Sequence, residues 1–205
     1  LRTLTKKKVL NIGYGGNGPL IEYAALREYL PRNVKNVIWI YMNGDMDNLT
    51  DEIKNNILSK YLEDDHFKQN LLKKQNKIDQ IVIENIELEN SKAKNRVSFS
   101  LMNNFLKLYN LRMLILDNSS KKSPDVHPDF EKIILKAKEF SNELGSNFHF
   151  VYLPEYSRYK LRDNYDFSTS QEVKKIIKKL DINFIDVHEG VFLKEENPFN
   201  LYPFG

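Results

Sequence analysis

A short apolar run that breaks into a glycine cluster and then into a helix constrains this chain more than any other feature. Val9-Leu10-Asn11-Ile12 passes straight into Gly13-Tyr14-Gly15-Gly16-Asn17-Gly18-Pro19, and Leu20, Tyr23, Ala24 and Leu30 then recur at helical spacing until Pro31. Pro19 suits a first helical turn, where its missing N–H costs nothing. The order predicts a strand, a tight loop and a helix, the opening of an α/β unit.

The same rhythm returns further along. Asn36–Met42 is apolar throughout, which predicts a parallel strand covered on both faces, and it ends in the turn-forming stretch Asn43–Asn48. Thr50 is expected to cap a helix with Ile53, Ile57, Leu58 and Tyr61 on one side. From His66 to about Leu116 the pattern is helical, polar and rich in Lys and Asn, and we expect a helical insertion at about 63–116. Pro128–Leu144 predicts an amphipathic helix with Gly145 at its end, Asn147–Leu153 a strand, and Asn183–Asp186 the last strand. Thr169 with Glu172 fits a capping box for a helix through Leu180. Strands alternating with helices imply one α/β domain over 1–205, a flavodoxin-like, mostly parallel sheet with helices on both faces.

Composition narrows the function classes. With 31 basic and 28 acidic residues among 205, the net charge is only +3, too even for the clustered basic surface of a nucleic-acid binder. The lysine runs, such as Lys6–Lys8 and Lys174-Lys175, are dispersed and read as solvated faces. No apolar run approaches the ~20 residues of a membrane span. The absence of cysteine excludes a disulfide scaffold, a thiol nucleophile and a Cys-ligated metal. Four scattered histidines show no metal-ligand spacing, and we expect no cofactor. The chain starts at Leu1 and stops at Phe204-Gly205, and it reads as an internal piece of a longer protein, so a missing signal peptide says nothing about localisation.

Ligands of open parallel sheets bind beyond the carboxyl ends of the strands, which singles out the loops Gly13–Pro19, Asn43–Asn48, Pro154–Arg158 and Val187–Phe192. The first contains a literal Gly-x-Gly-x-x-Gly at Gly13, Gly15 and Gly18, the minimal dinucleotide fingerprint. Against that reading, Pro19 stands where a backbone donor is often used, and the next strand ends without a well-placed acidic residue. A plain tight turn needing positive φ is the other reading.

Asn11-x-Gly13-x-x-Gly16 also resembles the second conserved block of the SGNH, or GDSL-type, hydrolases, and the run Asn11–Tyr23 is similar to a bacterial branch of that superfamily. The resemblance implies that the Gly16 N–H helps bind the oxyanion of an acyl-transfer intermediate, a role for which a residue without a side chain is suited. It also implies a third block, Gly-Asn-Asp-like, whose Asn is a second donor. Here that loop reads Asn43-Gly44-Asp45. Register puts Gly44 or Asp45 at the Asn position, with Asn43 the nearest amide; an ionised Asp45 only accepts hydrogen bonds. The family's serine motif does not occur in these residues, and its histidine follows a run resembling Phe199–Gly205. Both are expected outside the chain.

The resemblance therefore implies a serine hydrolase of ester bonds acting on a small-molecule or glycan acyl ester, with Gly16, Asn43 and Asp45 in the oxyanion region. The alternatives are a degenerate SGNH-like binding domain and, third, a dinucleotide-binding α/β protein. Asp125-Val126-His127, between Pro124 and Pro128, reads as a helix-entry turn, and His149 as a structural histidine. His188, close to Asp186 and Glu189, is the best histidine within the chain for a site, with a loop role favoured.

Overall fold

The computed structural model describes residues 2–106, 124–161 and 164–202. After a short helix α1 (Arg2–Thr5), the first unit contains helix α2 (Pro19–Tyr29), strand β1 (Asn36–Tyr41), and helices α3 (Asp45–Glu52) and α4 (Asn56–Glu63). Beyond the insertion come α6 (Phe130–Glu143), β2 (Asn147–Tyr152), α7 (Tyr156–Leu161), α8 (Ser168–Lys179), β3 (Asn183–Asp186) and α9 (Val187–Gly190). The three strands form a parallel sheet in the order β1-β2-β3, with Trp39 opposite Phe150 and Val151 opposite Ile185. The chain is thus an α/β protein built on a small parallel sheet flanked by helices.

Because side chains alternate along a strand, one face of the sheet carries Trp39, Tyr41, Phe148, Phe150 and Tyr152, all buried. Onto it pack Leu20 and Tyr23 of α2, Met46 and Leu49 of α3, Phe130, Ile133 and Ile134 of α6, and Val173 and Ile177 of α8. The other face corrects the expectation of strands covered on both sides: Ile38, Ile40 and Ile185 are 47%, 52% and 45% exposed. At its amino end, His149 bridges the three strands, Nε2 lying 3.1 Å from Asn36 Oδ1 and Nδ1 2.7 Å from Asn183 Nδ2. His149 is a structural histidine, as expected.

Val9–Ile12 forms no strand. Apolar side chains alone do not make one, since the backbone N–H and C=O groups need a neighbouring strand to complete a ladder, and the three-stranded sheet of the described residues does not include this run. Ile12 still packs against the core. Two caps also differ from expectation. Thr50 lies inside α3, its hydroxyl returning to the Met46 carbonyl, and Asn55 caps α4 instead, accepting from the Ile57 and Leu58 N–H groups. Thr169 lies inside α8 and donates to the Pro124 carbonyl. In each case a longer-range or better-placed acceptor wins over the local capping pattern.

Arg27, 3% exposed, ties α2 to the turn after α4 by donating to the carbonyls of Tyr61, Asp64, Asp65 and Phe67. Residues Asn70–Lys121 form a separate unit, where a 3-10 turn, Leu71–Lys74, leads into the 32-residue helix α5 (Gln75–Leu106). The part of the expected insertion at 107–116 lies outside the described residues. No helix among the described residues is long and apolar enough to cross a membrane.

Phe150, fully buried, touches the rings of Tyr41, Phe130 and Phe184 at 5.6, 6.4 and 6.2 Å. Phe150→Ala should therefore cost about 3–5 kcal/mol, whereas Ile40→Thr on the open face should cost less than about 1 kcal/mol. Urea unfolding of both variants checks this, and equal losses would mean that both faces are covered.

Candidate functional site

Two loops are joined through α3, the helix that follows β1. The glycine loop begins with Asn11 Oδ1 accepting from the Gly13 N–H at 3.1 Å and turns where the Asn17 N–H donates to the Tyr14 carbonyl at 3.2 Å. Gly16 occupies the third position of that turn with φ +88°, as a type II turn requires. Gly16 is exposed and a Cβ placed on it would meet nothing within 4 Å. Its glycine is demanded by backbone conformation, not by a neighbour.

Gly18 is the opposite case. A Cβ there would stand 2.8 Å from Asn48 Cβ and 2.9 Å from the Glu52 carboxylate. The approach is this close because Glu52, from α3, accepts the N–H groups of Gly18, Leu20 and Ile21. A negative group at a helix N-terminus is favourable, and these donors are the ones a dinucleotide pyrophosphate would use. With Glu52 seated on them, and Pro19 contributing no donor, the third glycine has a structural explanation that needs no nucleotide.

The second loop follows β1. Asn43 is 2% exposed, its Nδ2 donates to the Tyr165 hydroxyl at 2.8 Å, and its Oδ1 is buried without a partner among the described residues. The Gly44 N–H donates to Glu155 Oε1 at 2.7 Å, and Ser157 Oγ donates to the other oxygen of Glu155 at 3.0 Å. Asp45 accepts the Met42 N–H at 2.8 Å. Burial, with Glu155 and Glu52 adding repulsion against the lowering effect of that hydrogen bond, pushes the Asp45 carboxyl up to about 6. Glu22, one turn into α2, is pushed up to about 9 by burial first and by Asp45 and Glu52 after it. The buried Tyr41 hydroxyl, raised above its ordinary value mainly by burial, also lacks a partner among the described residues.

The structure thus places Asn43 in the loop after β1 and Asp45 at the first residue of α3, not in the turn expected over Asn43–Asn48, and Glu52 at the far end of α3 ties that helix to the glycine loop, while Gly16 stands in the exposed turn before it. The region is rich in carboxylates, yet among the described residues no three His, Asp or Glu side chains are placed to hold a metal ion. Glu22, Glu52 and Tyr165 were not singled out from the sequence, and Glu155 only as part of the loop Pro154–Arg158. Their signals were weak: Glu22 falls on the buried side of a helix beside Leu20 and Tyr23, and the others depend on long-range approach.

The histidines fall elsewhere. His188 Nδ1 lies 2.8 Å from the Tyr159 hydroxyl, whose ring stacks on Phe192 at 5.1 Å. The Asp186 carboxylate accepts the backbone N–H groups of His188 and Glu189 and pairs with Lys174, so it orients the turn of α9 and not the imidazole. Burial, then the Arg158 charge, lowers the His188 pKa. His127 Nδ1 accepts the Asp129 N–H at 3.2 Å, and the His127 carbonyl accepts the Phe130 N–H, which makes Asp125–His127 the entry to α6.

Glu22 makes stability depend on pH. In the folded protein it keeps its proton up to about pH 9, while the unfolded chain releases it near 4.5. The folded state then binds more protons between those values, so its contribution is fully present below 4.5 and is lost as pH rises through 9. Glu22→Gln should flatten this fall, read as a smaller loss of urea midpoint between pH 6 and pH 9 than in the parent; an equally steep fall would place Glu22 in water. No protein-family model, curated protein or solved structure matches the chain.

Proposed function

We propose that the protein carrying this chain is an SGNH-type serine hydrolase of acyl esters, and that these residues supply its oxyanion donors. The observation that carries this reading is Gly16: an exposed glycine at φ +88°, with open space where a side chain would stand, in a tight turn that leads into α2. Such a residue lets a carbonyl approach its N–H without a side chain in the way, and electrostatic stabilisation of the developing oxyanion needs that approach. In this reading a serine from outside these residues attacks the acyl carbon, a histidine takes the serine proton and passes it to the leaving alcohol, and water then releases the acid. Gly16 and the Asn43 amide hold the negative oxygen. Acylated carbohydrates or small acyl esters are the substrate class.

A second reading, a degenerate domain of the same kind that binds without turning over, is favoured by Asn43 and its surroundings. The amide is buried against Tyr165, and Glu22, Asp45, Glu52 and Glu155 concentrate carboxyl groups where an oxyanion would have to form. Hydrolysis of a p-nitrophenyl acyl ester by the full-length protein separates the two. The enzyme reading expects turnover abolished by replacing the serine of its Gly-Asp-Ser motif. Binding of a glycan with no turnover supports the second.

Within the enzyme reading, Gly16→Val should cut kcat by about 10²–10³-fold, the usual cost of losing an oxyanion donor, because valine strains a φ of +88° and crowds the carbonyl. Asn43→Ala should lower kcat more than Asp45→Ala at pH 8, where the Asp45 carboxyl is ionised and only accepts. Steady-state kinetics at that pH checks the ranking, and the reverse order assigns the donor role to the wrong residue.

A further inference from the structure

The turn that carries Gly16 holds binding groups that the fold does not use. Tyr14, its first residue, is 81% exposed, and its ring and hydroxyl have no partner among the described residues. A single exposed aromatic is ordinary on a protein surface, so the ring alone carries nothing. Its company does. Gly15 and Gly16 are both exposed, and their N–H groups make no hydrogen bond among the described residues. A Cβ on either would meet nothing within 4 Å, so the middle of the turn is bare, open backbone. Asn17 closes the turn through its own backbone N–H and is half-buried, and its side-chain amide is likewise without a partner among the described residues.

These groups suit a neutral ligand with hydroxyls. No charged residue stands between Lys8 and Glu22 in the sequence, and the Glu52 carboxylate that approaches from α3 is engaged by the Gly18, Leu20 and Ile21 N–H groups. A tyrosine ring carries negative charge density on its face. The C–H hydrogens on one face of a pyranose, made slightly positive by the neighbouring oxygens, can lie flat against it. An amide both donates and accepts, as adjacent sugar hydroxyls require, and the Gly15 N–H adds a further donor. An aliphatic alcohol would strip water from these polar groups without replacing its hydrogen bonds, which disfavours it.

We propose that the turn Tyr14–Asn17 is a sugar-binding subsite, with Tyr14 as its stacking platform and the Asn17 amide and Gly15 N–H bonded to hydroxyls, so that the alcohol part of the ester is a carbohydrate. As a statement about substrate this rests on the hydrolase reading above. It puts the sugar ring and the acyl carbonyl on one turn, the carbonyl at the Gly16 N–H. Tyr14 sets specificity and exchanges no proton with the reacting group.

The test measures acetate release by the full-length protein and its Tyr14→Ala and Tyr14→Phe variants from two esters with the same acyl group, a mono-acetylated methyl glucopyranoside and ethyl acetate. The parent is expected to prefer the glucoside by kcat/KM. Tyr14→Ala should lower that preference about tenfold, the size of one aromatic stacking contact, with the loss in KM for the glucoside, and Tyr14→Phe should keep most of it. An active parent without the preference, a preference unchanged in Tyr14→Ala, or an equal loss in both variants overturns the subsite and leaves the hydrolase reading standing. A parent that hydrolyses neither ester overturns the hydrolase reading, and saturation-transfer NMR with methyl glucopyranoside then decides on the subsite itself. Transfer to the sugar C–H hydrogens that disappears in Tyr14→Ala supports it; no transfer, or transfer that survives that variant, overturns it.

Discussion

The carboxylate of Glu52 on the first turn of α2 is the interaction on which the arrangement of the site depends. Three backbone N–H groups, from Gly18, Leu20 and Ile21, converge on one side chain from α3. A helix N-terminus leaves such donors without intrahelical partners, and here they are buried, so an acceptor is obligatory. Because the acceptor comes from the helix that follows β1, the glycine loop and the Asn43 loop cannot drift apart without stripping those donors. Charge-assisted hydrogen bonds of this kind are worth about 1.5–3 kcal/mol each. Gly18 is required for the same reason, since any side chain would collide with Asn48 and Glu52. Near its other end α2 is gripped by the opposite charge, with Arg27 gathering the Tyr61 carbonyl of α4 and three carbonyls that follow that helix.

The longer helices and the three paired strands were legible because their signals are local, whereas α3 begins within a stretch read as a turn, and α7 and α9 fall where loops were expected. Apolar residues at helical spacing mark α2 and α6, α8 was reached from a capping pattern, and the runs at 36–41, 147–152 and 183–186 are rich in the aromatic and branched residues that suit strands. What escaped was whatever depends on a neighbour. Val9–Ile12 has the composition of a strand but joins no ladder of the sheet, and of its apolar residues Ile12 packs against the core while Leu10 stays exposed. The strand at Asn36–Met42 reads as fully buried because Ile38 and Ile40 are apolar, yet whether those two are covered is a property of the layers around the sheet and not of the strand. Thr50 and Thr169 matched capping positions by type, but their hydroxyls found carbonyls at Met46 and Pro124.

The candidate site divides in the same way. Gly16 could be picked out because a glycine-rich turn between an apolar run and a helix is a local statement about backbone conformation, and φ +88° agrees with it. Asn43 could be picked out as a loop residue after a strand, and Asp45 with it, although Asp45 proves to open α3. Their states could not, because burial and the carboxyl groups of Glu22, Glu52 and Glu155 arrive from α2, α3 and the loop after β2. The raised values of Asp45 and Glu22 follow from that convergence, and no spacing in the sequence encodes it. Tyr165 is the extreme case, 122 positions from the amide it contacts.

The anchoring of the two residues that flank the second unit bears on how the chain could change over time. Before it, the Gln69 N–H donates to Glu28 at 2.6 Å and the Gln69 side chain reaches the Tyr61 hydroxyl, which itself donates to Glu28. After it, the Pro124 carbonyl accepts from Thr169. Exit and re-entry are thus each fastened to the sheet-bearing unit by that unit's own side chains. The closure entropy of a connecting segment grows only slowly with its length. A segment leaving and rejoining at fastened points can lengthen, shorten or diverge in sequence while the geometry at the end of β1 stays as it is. That is modularity of a literal kind: the core carries its own sockets, and what is plugged between them is free to be reinvented.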